Sequence, residues 1–252
     1  MDLLPSDRLG RGPRLALVHG FTQTRRSWAA IAAELGTDHE VVTIDAPGHG
    51  DASGVEVGLV EGGELVARTA GPATLVGYSM GGRLCLHAAL ASPGTVRGLV
   101  VLGATGGIDD AAERAGRRIA DEALADHLEA VGVPAFVDEW LDQPLFASLG
   151  EPGRGRDDRL RNTAAGLASS LRLAGTGTQR PLWDDLAGVA VPVLVLAGER
   201  DDKFRSAGAR LAAAVGPNAR LEVVPDAGHA AHLEQPDAFV RILRAWVAEH
   251  GL

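Results

Sequence analysis

Short apolar runs bounded by turn residues recur along the chain: LALV (15–18), EVVTI (40–44), ATLVG (73–77), GLVVL (98–102), VPVLVLAG (191–198) and RLEVV (220–224). Runs of this length, rich in valine and leucine, predict buried strands. Between them alanine and leucine recur at helical spacing in WAAIAAEL (28–35), GGELVARTA (62–70), GGRLCLHAALA (81–91), SAGARLAAAV (206–215) and DAFVRILRAWV (237–247). Strand and helix in alternation predict an α/β fold, a mainly parallel sheet covered on both faces. The rhythm breaks between the fourth and fifth predicted strands. There helical patterns near 109–131, 134–142 and 157–173 follow one another with no strand between them, and they predict a helical cap or lid inserted at 106–181 into a core made of 1–105 and 182–252. Before LALV there is room for at most one further strand.

Composition narrows the function classes. The 252 residues suit one large domain whose core needs no metal or disulfide to be stable. A formal charge of -9 argues against partners held by general electrostatic attraction, so neither nucleic acid nor an anionic membrane is expected. Cys85 is the only cysteine; it lies in an alanine-rich helical stretch and is expected to be a small core residue. With no apolar run long enough for a signal segment or a membrane span, a cytoplasmic protein is expected, monomeric or a small homo-oligomer.

The candidate chemistry begins at GYSMGG (77–82), where a buried strand turns abruptly into a helix. Ser79 stands at the tip of that turn. In an open parallel sheet, ligands bind beyond the carboxyl ends of the strands, and Gly77, Gly81 and Gly82 permit the close backbone approach that so sharp a bend requires. A serine hydroxyl needs a neighbour to take its proton, usually a histidine oriented by a carboxylate, and for this elbow the expected order is Ser, acid, His. Asp201 in GERDDKF follows the fifth predicted strand and His229 in DAGHAAH follows the sixth, with Asp202 and His232 as their rivals. HAAH lacks the arrangement of a zinc-binding helix, so no metal is expected. The backbone N–H groups of Phe21, in HGFTQT after the first predicted strand, and of Met80, just past the serine, are candidate donors to a developing oxyanion. DAPGHG (45–50) reads as a structural turn rather than a site.

Arg83 falls one helical turn beyond Ser79, near a helix N-terminus, where the helix dipole disfavours a cation. A buried guanidinium there needs an anionic partner. Either a protein carboxylate or, as the preferred reading, a carboxylate of the substrate supplies it.

HGF, DAPGHG, GYSMGG, GERD and GH, in this order, resemble the α/β-hydrolase superfamily over nearly the whole chain. Together with DAAERAGRRIAD, DEWLDQPLFASL and LRNTAAGLASSLRLAGTGTQ, they resemble more closely one of its subfamilies, the 2-succinyl-6-hydroxy-2,4-cyclohexadiene-1-carboxylate synthases of menaquinone biosynthesis (MenH type). The resemblance implies Ser79, Asp201 and His229 as catalytic residues and Phe21 and Met80 as the oxyanion hole. It further implies Arg83, Arg117 and Arg161 as anion-binding residues, and Tyr78 and Trp140 as pocket walls. Arg114 and Arg118 compete with Arg117. The implied substrate is a small polycarboxylate with three carboxylates, and no cofactor is implied, because the substrate's ketone is the electron sink.

Residues 106–181 hold nine arginines but thirteen acidic residues, so aimed guanidinium contacts rather than a positive field would have to recognise such a substrate. In this reading Ser79 acts as a base and pyruvate is eliminated. The alternative is a serine hydrolase of esters, enol-lactones or C–C bonds, and from a different class a non-catalytic receptor on the same scaffold.

Overall fold

The computed structural model describes residues 3–252; Met1 and Asp2 of the first core segment lie outside the described residues. The described residues form seven strands, β1 (Ser6–Leu9), β2 (Arg14–Val18), β3 (Glu40–Ile44), β4 (Ala73–Tyr78), β5 (Val96–Leu102), β6 (Val193–Gly198) and β7 (Ala219–Val224), in one sheet ordered β1-β3-β2-β4-β5-β6-β7. All neighbours pair in parallel except β1, which runs antiparallel to β3 with Ser6 opposite Ile44. This is the α/β-hydrolase fold, and among the described residues β1 is the strand that precedes β2.

The apolar runs bury themselves by alternation. Ala16, Val18, Leu75, Leu99, Val101, Val193 and Val195 point to one face of the sheet. Leu15, Leu17, Val76, Val100, Leu102, Leu194 and Leu196 point to the other. Both faces are therefore apolar, as a sheet covered twice demands. On the first face lie α2 (Leu59–Ala70), α3 (Met80–Ala91) and α8 (Asp202–Val215), which contribute Leu65, Leu84, Cys85 and Leu211. On the second lie α1 (Ala29–Leu35), the short turn α9 (Ala231–Glu234) and α10 (Pro236–His250), which contribute Ile31, Leu35, Ala231, Phe239, Leu243 and Trp246. Cys85 is wholly buried, and burial pushes its thiol pKa up, so it is a small core residue.

Between β5 and β6 the chain forms only helices: α4 (Ala111–Leu141), the short turns α5 (Glu151–Arg154) and α6 (Arg156–Arg159), and α7 (Ala164–Ala174), besides a brief 3-10 turn at Pro144–Phe146 and another at Leu186–Gly188. The two helical patterns at 109–131 and 134–142 form one long run, broken at Gly132, whose φ of 79° and ψ of 165° are not helical, and Pro134 follows the break. Asp110 and Thr163 cap α4 and α7 by accepting from Glu113 N and Gly166 N. These helices carry an apolar cluster of their own, with Leu128, Phe136, Val137 and Leu141 of α4 against Leu167 and Leu171 of α7, and Phe21 from the loop after β2 packs onto it. That contact brings the helical segment over the carboxyl ends of the strands. Among the described residues no helix is long and apolar enough to cross a membrane.

Candidate active site

Ser79 links β4 to α3 with φ 52° and ψ −111°, a conformation that L-residues rarely adopt. The strain is held by backbone packing around it. Ser79 N donates to Leu102 O at the end of β5, and a Cβ on Gly77 would stand 2.6 Å from Gly82 Cα, one on Gly81 2.5 Å from His19 O. Because those obstacles are backbone, they cannot swing aside. Gly81→Ala should cost about 3 kcal/mol or more of stability, seen as a fall in the thermal unfolding midpoint of several degrees; an unchanged midpoint would remove this account of the turn.

Two other strand ends bring the partners. Asp201, just beyond β6, uses its carboxylate twice: Oδ1 accepts from Phe204 N as the N-cap of α8, and Oδ2 accepts from Nδ1 of His229 at 2.8 Å. The helix cap therefore also aims the carboxylate. His229 follows β7, and its backbone is held on both sides by Glu234, which accepts from Gly228 N at 2.7 Å and from Ala230 N at 3.1 Å. With the ring proton placed on Nδ1 by the carboxylate, Nε2 is an acceptor, and the Ser79 hydroxyl donates to it at 3.2 Å. The rivals stand elsewhere. Asp202 is exposed and paired with Arg205, while the ring of His232 is buried against Trp28 and Tyr78, with neither nitrogen hydrogen-bonded among the described residues.

A cavity of about 380 Å3 opens above Ser79, bounded by Phe21, Met80, Arg83, Arg117, Trp140 and His229 among others. The loop after β2 that carries Phe21 is fixed at several points: Thr22 N donates to His49 Nε2, Gly20 N to Gln23 Oε1, and Asn162 Nδ2 to Thr22 O. His49 belongs to DAPGHG, and Asp45 of the same turn accepts from Arg25 N and Asp51 N, so this motif supports the loop structurally.

The expected anion-binding residues do not share one fate. Arg83 is 8% exposed, lines the cavity and has no carboxylate partner among the described residues; its Nη1 donates to Ala174 O at the C-terminal end of α7. Burial, with the Arg117 charge beside it, draws its pKa down to about 10. Arg117 also lines the cavity, held by Asp121 at 2.7 Å. Arg114 instead turns to the carbonyls of Ile108 and Asp109, and Arg118 is exposed. Arg161 does not reach this cavity. It is exposed and borders a separate recess with Arg25, Asp45 and Asp51.

Tyr78 and Trp140 do bound the space around Ser79, together in a smaller recess. Burial raises the Tyr78 phenol above its usual value, so it stays protonated. Two cations were not anticipated from sequence: Lys203 on the rim of the large cavity, within GERDDKF, and Arg159 in the smaller recess.

Such an arrangement can move a proton to and from a serine oxygen in a cavity that Arg83, Arg117 and Lys203 also line. Residues 15–242 match the model of the alpha/beta hydrolase family. A Bacillus subtilis (strain 168) protein bearing the provisional name 2-succinyl-6-hydroxy-2,4-cyclohexadiene-1-carboxylate synthase is 37% identical over 240 residues, which cover 90% of this chain and 87% of that one. The protein of that name from Serratia proteamaculans (strain 568) is 33% identical over 252 residues, covering 95% and 94%. The solved structure of MenH from S. aureus superposes with a TM-score of 0.91 at 30% identity, covering 98% of this chain and 99% of that one.

Proposed function

The chain belongs to the α/β-hydrolase family, among its 2-succinyl-6-hydroxy-2,4-cyclohexadiene-1-carboxylate synthases, and on that footing we propose that it eliminates pyruvate from 2-succinyl-5-enolpyruvyl-6-hydroxy-3-cyclohexene-1-carboxylate in menaquinone biosynthesis. The observation that carries this beyond the fold is the pairing of a complete Ser–His–Asp relay with two cations, Arg83 and Arg117, that face the same cavity. A simple ester needs no cation. A substrate bearing three carboxylates does.

Ser79 acts as the base. As its oxygen removes the proton beside the succinyl ketone, its own proton passes to Nε2 of His229, and Asp201 stabilises the imidazolium that results. The negative charge moves to the ketone oxygen, which the N–H groups of Phe21 and Met80 receive. Electrons then return through the ring and break the C–O bond to the leaving group, whose oxygen takes the proton held by the His229 imidazolium, so that it departs as the enol of pyruvate and the relay returns to its starting protonation. Arg83 and Arg117 hold carboxylates of the substrate, and Trp140 walls the cavity.

Purified protein supplied with the succinyl-enolpyruvyl substrate should release pyruvate, measured with a coupled dehydrogenase. No release, together with rapid turnover of p-nitrophenyl esters and phosphonate labelling of Ser79, would replace the lyase with a serine hydrolase. Arg83→Met should raise KM by about 100-fold while leaving the unfolding midpoint unchanged or higher, because a buried charge without a partner carboxylate is removed.

A further inference from the structure

A second cavity, of about 360 Å3, lies between α1, α9 and the turn that joins α5 to α6. That is the size of a small-molecule site. It shares no residue with the large cavity above Ser79 and only Arg159 with the small recess there, so Arg159 is the partition between this space and the catalytic centre.

Several polar groups on its lining have nothing to bond. Gln23 is 2% exposed, and its Oε1 accepts from Gly20 N at 3.0 Å, which leaves Nε2 as the free end of the amide; Nε2 makes no hydrogen bond among the described residues. A buried amide N–H without an acceptor is costly. The guanidinium of Arg26, exposed at the edge of the cavity, forms no hydrogen bond or ion pair among the described residues. His232 is wholly buried and borders the same space with neither ring nitrogen bonded. The carboxylate on the lining, Asp158, is already engaged by Thr24 N and Thr24 Oγ1, and the Ser27 hydroxyl donates to Thr24 O. Unspent donors therefore prevail, and they stand beside an apolar wall of Ala30, Ile31, Leu233 and Pro236. An inorganic anion would leave that wall uncovered, and a purely apolar molecule would leave the donors unbonded.

We propose that this cavity is a second binding site, separate from the catalytic one, for a small carboxylate carried on a compact apolar body such as a single ring. The carboxylate accepts from Gln23 Nε2 and pairs with Arg26, while the body lies against Ile31, Leu233 and Pro236. Because Gln23 also holds Gly20 N, next to Phe21, one side chain links the occupant to the loop that carries the candidate oxyanion donor. The site does not depend on which reaction Ser79 performs.

Benzoate is the probe, followed by calorimetric titration. Wild-type protein should bind it with a Kd of about 1 mM or tighter. Arg26→Ala should weaken that binding by about 10-fold. Ala30→Trp, which fills the cavity from an exposed position of α1, should abolish it, and neither variant should move the unfolding midpoint. The double variant Arg83→Met, Arg117→Met, which strips the catalytic cavity of two cations, should retain it. Inorganic phosphate has the charge without the apolar body and benzyl alcohol the body without the charge, so each should bind at least about 10-fold more weakly than benzoate. The proposal is overturned by a wild-type protein that does not bind benzoate, or by binding that survives Ala30→Trp or is unchanged in Arg26→Ala. Loss of binding in the double variant would overturn it too, by assigning benzoate to the catalytic cavity, and so would either control ligand binding as tightly as benzoate.

Discussion

Ser79→Ala should lower the rate of pyruvate release by about 10,000-fold, leave KM within a few-fold of the wild type, and leave the unfolding midpoint unchanged. The hydroxyl donates one hydrogen bond, to His229, and the residue keeps φ 52° whether serine or alanine stands there. Catalysis is lost without loss of the fold. His229→Ala should have nearly the same effect, and the double variant little more than either alone, because the two groups move one proton between them. Ser79→Gly gives a useful contrast. Glycine accepts a positive φ freely, so this variant should be inactive yet slightly more stable than the wild type, by about 1 kcal/mol. A Ser79→Ala enzyme that retained a tenth of the activity would mean that another group takes the proton, and the geometry at His229 would then have no chemical role.

Much of this site was legible in the chain because its parts sit where secondary structure changes. Ser79, Asp201 and His229 each follow a run of buried aliphatic residues, and the ends of parallel strands lie along one edge, so positions far apart in sequence converge without any knowledge of distances. The phase of a side chain in a short turn is a different matter. Arg159 and Arg161 stand in the same stretch, GRGRDDRLRN, and two positions in a helical turn are about 200° apart, so when one faces inward the other faces out. Because α6 spans only Arg156–Arg159, it has no apolar periodicity to set that phase. What sets it is tertiary: Arg159 reaches Thr22 and Phe21, and Asn162 reaches Thr22 O, contacts across some 140 residues of chain. In the same way β1 (SDRL) was foreseen only as available room, since an edge strand with a half-exposed pattern carries no hydrophobic run.

The break in α4 shows a third case. The helical patterns on either side of Gly132 were visible, but whether two patterns form one run or two helices depends on a single residue's ψ, which composition does not encode. Here the break lets Phe136 and Trp140 turn toward Phe21, with the Trp140 and Phe21 ring centroids 5.1 Å apart, and so brings an aromatic wall to the loop that carries the candidate oxyanion donor. Geometry at the donor thus depends on a segment about 110 residues away in sequence.

Acid should unfold this protein unusually early, and the cause is imidazoles rather than carboxylates. His49 and His232 have pKa values lowered to about 3 and His87 to about 4, in each case first by burial; neighbouring charge adds to it, from His19 at His49, from His229 and Arg159 at His232, and from Arg83 and Arg180 at His87. In the unfolded chain each returns to the ordinary value of 6.5. Below that pH the unfolded state binds protons that the folded state refuses, so the stability is fully present above about pH 6.5 and is lost as pH falls. Three such groups amount to a slope of about 4 kcal/mol per pH unit near pH 5, and to a loss of about 5 kcal/mol between about pH 6 and 4.5, comparable with the whole stability of many domains. His232→Phe isolates the effect. Neither ring nitrogen of His232 is hydrogen-bonded among the described residues, and the ring lies 4.4 Å from both Trp28 and Tyr78, so phenylalanine removes a titrating group and no hydrogen bond. Urea unfolding followed from pH 7 to pH 4 should show equal or greater stability for the variant at pH 7 and an acid slope smaller by about 1.4 kcal/mol per pH unit. An acid limb identical in the two proteins would mean that the buried ring at position 232 takes up its proton without unfolding the chain, and the link between imidazole burial and acid sensitivity would fail.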